Sequence, residues 1–204
     1  MVHHAVRFAF AALVLASTGL DALSANADDD AKALLDSMQA TRPDWLPSLD
    51  KCPADVMPAG ETKSGFYEGR CEGNLKECLS HCQNGDGSDC YASAVALQKV
   101  KNSPVSEALF LRACALGVAS GCTNRAASMV SGHDGEPCAI RTFAAACDRL
   151  DPWACTMFGF HLVRGIGIGK DHERARQVLS KSCQHGETDE ACRAARALMK
   201  ELGD

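Results

Sequence analysis

The chain has 204 residues, 12 of them cysteine, a formal net charge of −5 and an aromatic content of 5%. It carries no basic run and no interleaving of basic and aromatic residues, so nucleic acid is excluded as an expected partner. With aromatics scarce and alanine abundant, the core is expected to come from helices packed closely on small residues.

Residues 1–27 read as a secretory signal peptide. Arg7 supplies the positive start, Phe8 to Ala16 the short apolar core, and Ala25-Asn26-Ala27 the small residues of a cleavage site. An apolar run this short cannot cross ~30 Å of hydrocarbon, which argues against a membrane anchor. No cysteine follows until Cys52, which argues against a lipid-modified N-terminus. The expected location is therefore periplasmic or secreted, without membrane association after cleavage, where disulfides persist.

Residues 28–73 come next. Asp28 to Ala40 (DDDAKALLDSMQA) predicts one helix with acidic residues in its first turn. Pro43, Pro47, Pro53 and Pro58 then exclude a long helix or strand. This segment is read as a linker or N-terminal cap, partly mobile.

From residue 74 to 202 the cysteines recur. Cys82 and Cys90, Cys114 and Cys122, and Cys147 and Cys155 each enclose seven residues, and Cys183 and Cys192 enclose eight. The first cysteines of successive pairs stand 32, 33 and 36 residues apart, a period of helix–turn–helix solenoids. One helical turn before each first cysteine stand Cys78, Phe110, Phe143 and Leu179. Three residues after it stand Gly85, Gly117, Leu150 and Gly186, and glycine is what a helix uses to leave through a left-handed turn. The third unit departs here, with Asp151-Pro152 opening its next helix. Four residues after each second cysteine come Ala94, Ala126, Gly159 and Arg196; seven after come Leu97, Met129, Leu162 and Met199. The first set is small in three units and allows close approach, while the second forms a buried stripe. Arg196 and Lys200 make the last helix polar, as a terminal cap should be.

Each pair thus joins the end of one helix to the start of the next. Common zinc sites separate cysteines by two to four residues, and redox pairs use Cys-x-x-Cys. Neither spacing fits, so the expected bonds are Cys82–Cys90, Cys114–Cys122, Cys147–Cys155 and Cys183–Cys192.

Gly165-Ile-Gly-Ile-Gly-Lys-Asp-His-Glu-Arg-Ala-Arg-Gln-Val-Leu-Ser-Lys-Ser-Cys183, followed by Gly186 and Ala191-Cys192, resembles a Sel-one-like repeat, a relative of the tetratricopeptide repeat. One disulfide per repeat resembles the secreted cysteine-rich subgroup known as Hcp proteins. The expectation is an all-α, right-handed α/α solenoid of four disulfide-stapled helix-turn-helix repeats over 74–202. Such a stack offers a concave face for an extended partner. The function expected is an exported, monomeric scaffold binding a protein, peptide or cell-wall fragment, with no cofactor, metal or catalytic residue. The alternative, a weak β-lactamase-type hydrolase, rests on the Hcp resemblance alone.

Three stretches imitate motifs of other chemistry. Gly169-Lys170 is followed by Asp171 where a phosphate loop needs Ser or Thr, so the glycines read as a turn between repeats. Ser48-Leu-Asp-Lys51 matches Ser-x-x-Lys, and Lys63-Ser-Gly65 imitates Lys-Thr-Gly. Yet Ser48 lies in a proline-rich stretch, the elements are out of order, and Ser88-Asp-Cys90 is the nearest approach to Ser-Asp-Asn. Of the histidines outside the leader, His81, His133, His161, His172 and His185, none forms a metal-binding spacing. His81 and His185 read as partners of helix C-termini, and Trp153 as buried between repeats.

Cys52, Cys71, Cys78 and Cys138 lie outside the pattern and permit three complete pairings. Cys78 and Cys138 stand two repeats apart, roughly 20 Å at ~8–10 Å per packing step. That distance exceeds a disulfide's reach. A partner for Cys138 within the chain must then come from residues 28–73, folded across the stack. The more local pairing, Cys52–Cys71, is the expectation, with Cys78 and Cys138 unpaired or intermolecular.

Overall fold

The computed structural model describes residues 18–60, 63, 65, 69–130 and 135–203, with side chains from Asp29 onward. The expected signal sequence thus falls mostly outside the described residues. Among them are ten α-helices and no strand: α1 (Thr18–Thr41), α2 (Pro53–Val56), α3 (Leu75–Gln83), α4 (Gly87–Val100), α5 (Pro104–Ala115), α6 (Ala119–Met129), α7 (Glu136–Cys147), α8 (Pro152–Arg164), α9 (His172–Ser180) and α10 (Glu190–Glu201).

Local chemistry sets many of these boundaries. Side chains of Asp86, Ser103, Asp151, Asp171 and Asp189 accept hydrogen bonds from the first-turn amides of α4, α5, α8, α9 and α10. Each satisfies a donor that has no partner within its helix. Gly85, Gly117 and Gly186 take left-handed backbone after α3, α5 and the 3₁₀ turn Lys181–Cys183 that follows α9. Leu150 does the same with φ 62, although it carries a Cβ. That conformation costs about 1–2 kcal/mol in an ordinary L residue. Asp151, one residue on, is fully buried and tied to α6, holding the turn in place.

From α3 onward each helix packs on the next in the chain, and α8 also meets α6 and α10. One core gathers Phe143, Phe158, Leu162, Val178 and Leu179; another gathers Leu35, Leu97, Leu109 and Phe110. Of the predicted stripe Leu97 and Leu162 are fully buried, whereas Met129 and Met199 are only partly so; Phe110, Phe143, Leu179 and Ala126 are fully buried as well. Gly159 shows why small residues matter here. A Cβ added there would stand 2.4 Å from Leu179 Cδ2 and 2.5 Å from Leu179 Cγ, so α8 and α9 approach as closely as they do only because it is absent.

The structure contains six disulfides and no free cysteine among the described residues. Cys82–Cys90, Cys114–Cys122, Cys147–Cys155 and Cys183–Cys192 join consecutive helices, with Cα–Cα distances of 4.6, 4.6, 4.5 and 4.4 Å. The other four cysteines correct the expected Cys52–Cys71 bond. Cys71 pairs with Cys78, and Cys52 pairs with Cys138 across 86 residues of sequence. Neither Cys78 nor Cys138 is left unpaired. Cys71 precedes α3 and meets a cysteine in that helix, whereas Cys52 is carried away by the path of its segment.

Within the segment read as a linker or N-terminal cap, α1 packs on α4 and α5 through buried Leu35 and Met38, and α2 packs on α5, α6 and α7. Trp153, expected to be buried, is 45% exposed at the start of α8. No helix among the described residues is long and apolar enough to cross a membrane.

Candidate functional site

After α1 the chain runs as a strap, residues 42–60, over α5, α6 and α7. Four prolines deny it a helix longer than the single turn of α2, so its backbone groups need partners elsewhere. Arginines supply several of them. Arg112 of α5 donates from Nη1 to the Trp45 carbonyl at 2.9 Å, and its guanidinium lies 5.3 Å from the centroid of the Trp45 ring. Its Nε and Nη2 donate to the carbonyls of Cys82 and Gln83 at the end of α3, at 3.0 and 2.8 Å. One guanidinium thus ties the strap to a helix C-terminus, where positive charge is favoured.

Further along, Arg125 of α6 donates to the Leu49 carbonyl at 3.1 Å, and Arg149 after α7 donates to the Pro58 carbonyl at 3.2 Å. Between them α2 lies against α7. The Ala54 amide donates to Thr142 Oγ1 at 3.2 Å, Arg141 grips Asp55 with both terminal nitrogens at 2.8 and 3.1 Å, and Cys52 is bonded to Cys138. Past the strap, Lys63 forms a parallel bridge with Val118: its amide donates to Gly117, and Ala119 donates back to its carbonyl, both at 2.8 Å. The Gly65 amide donates to Ser120 Oγ at 2.7 Å, and Ser120 donates to buried Asp151 at 2.5 Å.

Arg125 is paired with a buried carboxylate. It stands 3.5 Å from Glu107 Oε2 in a pair whose side chains are only 11% and 10% exposed. Ser128 also donates to Glu107. Burial pushes the Glu107 carboxyl above the usual carboxylate range, while Ser128 and Arg125 pull it back down. Glu107 Oε1 and Arg125 Nε have no hydrogen-bond partner among the described residues. This charge pair is the base on which the strap contact at Leu49 rests.

A cleft of about 790 Å³ opens between the end of α1, the first residues of the strap and the start of α5. Its walls include Met38, Leu46, Ser48, Leu49, Pro104 and Val105. Lys51 does not line it, and Ser48 and Lys51 sit in no common helix, so the geometry a Ser-x-x-Lys nucleophile needs is not built there. Lys63 pairs with Val118 through its backbone alone and is exposed, and Ser64 lies outside the described residues. In Ser88-Asp89-Cys90 the aspartate is buried between Arg70 and His81, each 2.8 Å away, and the cysteine is bonded to Cys82.

The glycine-rich run serves as a turn: Gly165 ends α8 and Asp171 caps α9. His161 is buried with Nδ1 2.9 Å from the Ile166 carbonyl, and His133 lies outside the described residues. Cys71, Cys78 and Asp89 offer atoms within 4.8 Å of one another. Both sulfurs are consumed by their mutual bond, so they offer no thiolate.

None of the four arginines is marked by any spacing in the sequence, because each belongs to a different place in its unit. The one legible sign of the strap is Cys138, whose only intrachain partner in reach had to come from residues 28–73. No protein-family model, curated protein or solved structure matches the chain.

Proposed function

We propose that residues 74–202 form a right-handed solenoid of four Sel-one-like repeats of the Hcp type, exported to the periplasm or beyond. In this reading the stack is a scaffold whose concave face binds an extended protein segment, peptide or cell-wall fragment. Six disulfides are consistent with an oxidising compartment.

The observation that supports binding is the way α5, α6 and α7 hold the strap. Three arginines donate to main-chain carbonyls, those of Trp45, Leu49 and Pro58. Such contacts grip the main-chain carbonyls of a proline-containing segment without reading most of its side chains. A receptor for peptides is built from the same parts.

Fluorescence anisotropy with proline-containing peptides and with a cell-wall stem peptide tests this, in oxidising buffer and under mild reduction. Binding in at least one state with Kd in roughly the micromolar range is expected, as extended-peptide grooves commonly give. Arg125→Ala should weaken that binding. Sustained turnover of a chromogenic cephalosporin, with no peptide bound in either state, would overturn the reading in favour of a hydrolase.

A further inference from the structure

Five of the six disulfides are local, with sequence separations of 7, 8, 8, 8 and 9. The sixth, Cys52–Cys138, spans 86 residues and alone joins the strap to the stack. It is also the one bridge in which neither cysteine is fully buried: both Cys52 and Cys138 are partly buried, whereas every other bridge has at least one fully buried member. Thiol–disulfide exchange requires a thiolate to approach a sulfur in line with the bond, so exposure selects which bridge reacts.

We infer that Cys52–Cys138 is a thiol-exchange latch that holds the strap over α5, α6 and α7, and that opening it frees this surface for an extended peptide. The inference rests on the peptide-binding reading above, and it adds how that surface is controlled. The co-reactant is a dithiol, either a small molecule or a thioredoxin-class protein. Its two sulfurs join as a new disulfide, giving up two electrons and two protons, and Cys52 and Cys138 each take one proton as thiols.

What remains after opening is a set of polar contacts together with the packing of Trp45, Leu46 and Met57 on the two cores and of buried Pro53. The Arg141–Asp55 pair is more than half exposed on both sides, and such pairs contribute little. The bonds to Trp45, Leu49 and Pro58 are ones an incoming peptide backbone reproduces. The strap's ends stay anchored, since α1 packs on α4 and α5 and Lys63 pairs with Gly117 and Ala119. Opening therefore displaces a loop and leaves α3 to α10, with their five local bridges, intact.

Graded reduction of the wild-type protein with dithiothreitol, followed by alkylation and peptide mapping, reads the order of opening. Cys52 and Cys138 should be alkylated first, and amide exchange should accelerate at least ~10-fold in residues 43–60 while α3 to α10 stay protected. A buried bridge opening before or together with Cys52–Cys138 overturns the latch, as does unchanged exchange in 43–60 once it is open. Binding supplies the second arm, with a synthetic peptide of residues 43–60 carrying serine at Cys52 as probe. Its affinity should rise at least ~10-fold on opening, against the competing tethered strap. The same rise is expected without reductant in a Cys52→Ser, Cys138→Ser double variant. Equal affinity before and after opening sinks the latch and leaves the receptor reading standing. Ordered opening with no peptide bound in any state sinks the receptor reading instead.

Discussion

Glu107 shows at the scale of one residue how the strap and the core are coupled. Its carboxyl is held above its ordinary value chiefly by burial, so between that value and the higher folded one the native state binds more protons than the unfolded state. Stability therefore rises as pH falls through this window and is reduced above it. Urea unfolding at pH 7 and in the window just above the usual carboxylate range should show that slope, and Glu107→Gln should remove it. An unchanged slope in the variant would mean that other carboxylates set the acid-side behaviour. Glu107 Oε1 and Arg125 Nε, without a hydrogen-bond partner among the described residues, indicate what the geometry gives up so that Arg125 also reaches Leu49. Leu150 is a second residue at which a local rule yields, its left-handed backbone set beside an aspartate that accepts from Ser120, Thr123 and the Ala154 amide.

Between elements, the decisive quantity is how closely two helices approach. Gly159 faces Leu179 across α8 and α9, and Leu179 is fully buried. Gly159→Ala gains helix propensity of about 1 kcal/mol. It also forces a contact no side chain tolerates, and overpacking of this kind costs about 1–3 kcal/mol. A net loss is expected, read as a lower midpoint in urea with an unchanged slope. A gain would show that α9 shifts freely, and α8 and α9 would then not be a tightly packed pair. The strap obeys a different rule. Lacking a helix of its own, it is an element only through its partners, which is why its four prolines read in isolation as a linker.

For the molecule as a whole, the disulfides are weighed against a marginal total. In the chain-entropy description a loop of about nine residues adds roughly 2–3 kcal/mol, and one near 86 residues roughly 4–5 kcal/mol. Loops that share chain are not additive, yet even part of their sum rivals the ~5–15 kcal/mol that holds an ordinary domain folded. Full reduction in denaturant followed by removal of the denaturant, with thiols kept blocked, should leave a chain with most of its far-ultraviolet helical signal lost. Retention of a cooperative thermal transition at an unchanged temperature would mean that the packed helices alone sustain the fold.

The helices were legible because their signals are local. Cysteines recurring near every thirty-three residues, glycines three positions beyond, Asp151 before α8, and apolar residues one turn apart act through hydrogen bonds and packing within a few residues of themselves. The same local reasoning misplaced Cys52, expecting the nearest cysteine where the chain carries it to α7. It also misjudged Trp153, because exposure at a helix start depends on what the neighbouring unit leaves uncovered. Arg112, Arg125, Arg141 and Arg149 share no register, and only folding brings them to one strap. Sequence by itself determined the helical units and their short bridges, since both are set by spacing along the chain. Tertiary structure alone decided the path of residues 42–60 and the partner of Cys138, since contacts across 86 residues depend on how whole helices stack.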